Sequence, residues 1–139
     1  MNSKTKKAKD ILLENGYTCV FCNGNDTITS KERGIKPLLS IYNTKQNLSG
    51  YSAADRVVGK AAAFVYILLK VDEIYAEIIS EPAKQILEKY KIPVSAKTTS
   101  KLIRNREGTG FCPMETAVIK ITDPQKAVEA IENTLKTLN

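Results

Sequence analysis

Ser52-Ala53-Ala54-Asp55-Arg56-Val57-Val58-Gly59-Lys60, running on without a break into Ala61-Ala62-Ala63-Phe64-Val65-Tyr66-Ile67-Leu68-Leu69-Lys70, is the stretch on which the fold turns. Val57, Val58, Ala61, Ala62, Val65, Leu68 and Leu69 recur at helical spacing, and Ser52 supplies an N-cap oxygen. The spacing therefore predicts one helix over residues 52–70. From Ala61 onward it is apolar nearly all round, which is the pattern of a central, buried helix. On this reading Asp55 lies in the first turn, Gly59 one turn later on the same face, and Lys60 interrupts an otherwise apolar run.

Working outward, Glu73 to Ser80 reads as a buried strand, and Pro82 opens a helix to about Tyr90, because proline is tolerated at the first helical position. Lys91-Ile92-Pro93 is a turn and Val94 to Thr98 alternates like a strand. Residues 99–112 form a polar, glycine-containing loop, Ala117 to Thr122 a further strand, and Asp123-Pro124 the start of the last helix. Upstream, residues 4–15 read as a helix ended by Gly16. Residues 17–33 read as a β-hairpin with Asn23-Gly24-Asn25-Asp26 at its turn. Residues 34–50 are irregular, with a short helical turn at Lys36-Pro37-Leu38-Leu39. Helices between strands imply an α/β fold, a three-layer α/β/α sandwich on a mixed sheet of about five strands.

The 139 residues suit a single domain, 1–139, with residues 1–8 as a flexible start. No apolar run approaches the roughly 18–20 residues that cross a bilayer, and the N-terminus lacks the apolar stretch of a signal peptide. Three cysteines are too few for a disulfide framework, so a cytoplasmic chain is expected, with no membrane partner. Histidine is absent, which removes histidine-based metal sites and both Ser-His-Asp and Cys-His catalysis. The net charge of +6 invites a nucleic-acid reading. Lys4, Lys6, Lys7 and Lys9, however, fit a solvated helix face. The second basic cluster, Lys97, Lys101, Arg104 and Arg106, could hold phosphate, but few aromatic residues interleave it.

The candidate catalytic residues are Asp55, Lys60, Cys112 and Glu115. Asp55 either caps the helix through Ser52-x-x-Asp55 or works in a site for which Gly59 leaves room. Lys60 either snorkels to solvent or, if buried, pairs with Asp55 or Glu115 at a lowered pKa. Cys112-Pro113-Met114-Glu115 has the look of a short helical turn. Its thiol is either a small buried group or a nucleophile activated by the helix start. Arg56, Gly59, Lys101, Arg104, Arg106 and Gly110 are the candidate ligand-binding residues around them. Cys19 and Cys22 form a lone Cys-x-x-Cys; three apart on a strand, they point to opposite faces and read as structural.

The element order, a helix, a hairpin and then two β/α units, resembles the cytidine-deaminase fold. The zinc enzymes of that fold carry His-Ala-Glu or Cys-Ala-Glu opening one helix and Pro-Cys-x-x-Cys opening the next. Here Ser80-Glu81-Pro82-Ala83-Lys84-Gln85-Ile86 stands where the second motif would, and Ala53-Ala54-Asp55 where the first would. Ala53, Ala83 and Ile86 offer zinc no donor, so a metal-activated hydroxide is not expected, nor any cofactor. The stretches Ser52–Ala63 and Gly110–Glu115 are also similar to a small bacterial and archaeal family of unknown function that has this fold without its zinc. That resemblance spans most of residues 8–122 and implies a fold but no activity.

The leading functional expectation is a protein that binds a small anionic or nucleotide-like ligand. The alternatives are an enzyme with Cys112 as nucleophile, served by Lys60 and Asp55, and a basic nucleic-acid or protein-interaction module; a homodimer is a separate partner expectation.

Overall fold

In the computed structural model the structure describes residues 1–32, 34–101 and 112–138. The decisive stretch is two elements. Ser52–Val58 is a strand, β3, and the helix α3 begins only at Lys60 and ends at Leu69. Gly59 separates them in an extended conformation (φ −95°, ψ 179°). A central strand is covered on both faces, so its apolar residues need not alternate, and its spacing can then fit a helix as well. Ala53 packs into the main core and Ala54 into a smaller cluster under another helix, both fully buried.

Five strands form one sheet in the order β2-β1-β3-β4-β5. They are β1 Cys19–Cys22, β2 Thr27–Ser30, β3, β4 Glu73–Ser80 and β5 Val94–Ser100. The hairpin pair β1 and β2 is antiparallel, β1 is antiparallel to β3, and β3, β4 and β5 run parallel. The expected strand at Ala117–Thr122 is not formed. Ala117 ends the short helix α5 (Pro113–Ala117), and Val118–Lys120 are a turn. The sheet keeps five strands because β3 takes the place of that one.

Six helices are present among the described residues: α1 Ser3–Asn15, α2 Lys36–Asn43, α3, α4 Glu81–Lys89, α5 and α6 Pro124–Leu138. The short turn expected at Lys36–Leu39 is thus a helix of two turns. Residues 3–8, read as a flexible start, are the first turns of α1, with Thr5 and Ala8 buried and Asn2 capping the helix through Thr5 N. α1 lies on one face of the sheet over Val20, Cys22, Ala54 and Tyr75. The core on the other face joins α2 to α6 around Phe64, Tyr66, Ile79, Leu87 and Ile131. Cys19 belongs to this main core and Cys22 to the α1 cluster, the opposite faces that their spacing predicts. All three cysteines are free. No helix among the described residues is long and apolar enough to cross a membrane.

Candidate functional site

The candidate residues have separate sets of partners, one at the start of α3 and one around Asp55 on β3. The first is the start of α3. A helix leaves its first backbone N–H groups without partners. Here the Glu115 carboxylate, carried by α5, accepts two of them: Lys60 N at 2.6 Å and Ala61 N at 2.8 Å. Gly59 makes this approach feasible, since a Cβ at that position would stand 2.8 Å from Oε2 and nearer still to Oε1. Partial burial pushes the Glu115 pKa up, and the two N–H groups and the Lys60 ammonium oppose that rise. Lys60 is half-buried; burial lowers its pKa and the Glu115 carboxylate counteracts this. Its Nζ donates to the Ile119 carbonyl at 3.1 Å and lies 5.6 Å from the Phe64 ring centre. Of the two partners named for Lys60, Glu115 lies near enough to act on its charge, but the carboxylate bonds the Lys60 backbone N–H, and no ion pair joins the two side chains among the described residues.

Cys112 is the N-cap of α5, with Pro113 in the first turn as the sequence suggested. Its carbonyl accepts from Thr116 N at 3.0 Å, and its side chain packs, half-buried, against the main core.

The second group centres on Asp55, which sits on β3 and not in a helical turn. Tyr66 of α3 donates its hydroxyl to Asp55 Oδ2 at 2.6 Å, and Val57 N reaches Oδ1 at 3.3 Å. Cys19 is its register partner on β1. Burial raises the Asp55 pKa to about 6, partly offset by the Tyr66 hydrogen bond. Burial, helped by the Asp55 carboxylate, also pushes the Cys19 thiol far up, so this cysteine is held as a neutral packing group. Tyr66 escaped sequence reasoning. Its signal was a phenol inside a buried apolar helix, where the hydroxyl must find a partner. No hydrogen bond or ion pair among the described residues joins Asp55 to Lys60, Cys112 or Glu115.

Arg56, placed at the rim from sequence, spans structural partners. It donates to the Leu12 carbonyl at 2.8 Å and the Tyr17 carbonyl at 3.0 Å, and pairs with Glu77. Lys101 is exposed just beyond β5. Arg104, Arg106 and Gly110 lie outside the described residues. Ala53-Ala54-Asp55, aligned from sequence with a helix-opening zinc motif, lies within β3; the residues that open α3 are Lys60 and Ala61. At the next helix, Ser80 caps Ala83 N at 3.1 Å, while Ala83 and Ile86 are buried in the core. Among the described residues, no three His, Cys, Asp or Glu side chains cluster so as to hold a metal ion.

The comparisons with known proteins agree with this architecture. The family described as "TM1506: Domain of unknown function (DUF1893)" matches residues 7–135. The crystal structure of a DUF1893 family protein (TM1506) from Thermotoga maritima is similar, with a TM-score of 0.86 and 28% identity. The match covers 99% of this chain and 92% of that one. No curated protein matches. A family match over nearly the whole length, together with a shared fold, shows that this chain belongs to the DUF1893 family.

Proposed function

We propose that the chain is a zinc-free protein of cytidine-deaminase-like fold that binds a small anionic or nucleotide-like ligand at the start of α3. The deaminase-like reading is supported by the sheet order, with β1 alone antiparallel and a helix after each of β3 and β4. A cytoplasmic setting fits the three free cysteines. The observation that carries the ligand reading is the carboxylate held by Lys60 N and Ala61 N beside the bare Gly59. Backbone N–H groups at a helix start, with the positive end of the dipole, are suited to any carboxylate or phosphate.

Glu115 fills that place as an internal anion, and its raised pKa means that burial opposes its charge. A ligand anion exchanging with it would keep both backbone hydrogen bonds and gain the Lys60 ammonium as counter-charge. The test is thermal unfolding against a panel of nucleotides and phosphorylated metabolites, for the wild type and for Glu115→Gln and Lys60→Ala. The expected result is saturable stabilisation of a few degrees by at least one compound, stronger in Glu115→Gln and weaker in Lys60→Ala. A panel that shifts neither the wild type nor Glu115→Gln overturns the proposal.

A further inference from the structure

The far end of α3, roughly 15 Å along the helix from Lys60, meets the end of α2 around an open hollow of about 350 Å³, lined mostly by exposed side chains. Its size lies within the range of small-ligand sites, which begins at about 300 Å³. Its wall carries two cations, Lys45 and Lys70, and no acidic side chain. Neither lysine forms an ion pair or hydrogen bond through its side chain among the described residues. The ends of α2 and α3 oppose an anion with about half a negative charge each, so the two full lysine charges prevail.

Both lysines hold left-handed backbone conformations, φ 60° and 64°, where glycine would be unstrained. Lys91 does the same after α4 (φ 61°) without lining this cavity, so the conformation belongs to helix termination. What is particular here is that two such lysines line one cavity.

The remaining wall suits a hydroxylated ligand. Among the described residues, the carboxamides of Asn43 and Gln46 make no hydrogen bonds, and Asn47 uses only its oxygen, accepting from Ser49 N at 2.8 Å. Donors and acceptors are therefore available together. Tyr42 and Leu68, both half-buried, add an apolar surface for the carbon face of a sugar ring. We propose that this cavity is a second binding site, for a phosphorylated sugar or polyol, with Lys45 and Lys70 on the phosphate and the three carboxamides on the hydroxyls.

The test is calorimetric titration of the full chain with ribose 5-phosphate, glucose 6-phosphate, unphosphorylated ribose and inorganic phosphate. The decisive variant is Lys45→Gly/Lys70→Gly, which removes both charges where glycine suits the backbone, so its thermal midpoint should not fall. Saturable binding of a sugar phosphate, at least tenfold weaker in that variant and unchanged in Lys60→Ala, is the expected result. Dependence on Lys60 instead would assign the binding to the start of α3 and overturn this site. Equal affinity for inorganic phosphate would overturn the polyol assignment. No binding, or binding indifferent to the double variant, would overturn the site as a whole.

Discussion

At the scale of residues, Asp55 couples folding to pH. Its carboxyl has a pKa of about 6 in the folded chain against an ordinary 3.8, chiefly because burial disfavours the charge. Folding therefore favours its protonated form. The contribution is fully present below about pH 4 and is lost as pH rises through about 6, a difference on the order of 2–3 kcal/mol. Asp55→Asn keeps an acceptor for the Tyr66 hydroxyl and removes the titration. Relative to the wild type it should be more stable at pH 8 than at pH 4 by about that amount, measured by urea unfolding at both values. A difference independent of pH would show that Asp55 does not titrate as described. The sequence made Asp55 a candidate, but it could not place the residue against a phenol eleven positions later. That contact exists only because β3 and α3 fold back on each other across Gly59.

At the scale of elements, α3 depends on a cap that it does not encode. Gly59 offers no capping side chain, and Glu115 arrives from a helix more than fifty residues away. This explains why residues 52–70 read as one helix. The apolar spacing runs straight through Gly59, a glycine inside a helix is tolerated at a cost of about 1 kcal/mol, and the long-range cap leaves no local signal. Glu115 was legible as a partner for Lys60, but through side chains; the contact made is with the backbone. Gly59→Ala should destabilise the chain by about 1–3 kcal/mol, because its methyl group collides with the Glu115 carboxylate. Glu115→Ala should cost about 0.5–2 kcal/mol through loss of the cap. The double variant should fall well short of the sum, since without the carboxylate the methyl group loses its three nearest obstructions. Additive losses in a double-mutant cycle would sink this account of the helix start.

At the scale of the whole molecule, the two faces of the sheet are covered unequally. Five helices share the larger core, while α1 alone supplies the other layer among the described residues, burying Ala8 and Leu12. A layer one helix thick has little apolar area to hold it, so its polar attachments count for more. At its start Lys4 bonds the Gly50 carbonyl at 2.6 Å and pairs with Asp72 at 2.9 Å; at its end Arg56 bonds the Leu12 and Tyr17 carbonyls and pairs with Glu77. The layered α/β/α class was legible from helices alternating with strands, whereas the use of Arg56 was not, since an arginine spaced within a supposed helix gave no hint of facing α1. The Lys4 pair is partly exposed and contributes little, whereas Arg56 satisfies two backbone carbonyls and a half-buried carboxylate at once. Arg56→Ala should therefore cost about 1–3 kcal/mol and act locally. Amide hydrogen exchange should speed up in the last turns of α1 and at Tyr17, while β4 and α3 keep their protection. Stabilisation by any ligand of the site proposed at the start of α3 should survive the change. Unaltered exchange in α1, or loss of that stabilisation in Arg56→Ala, would return Arg56 to the ligand site where the sequence first placed it.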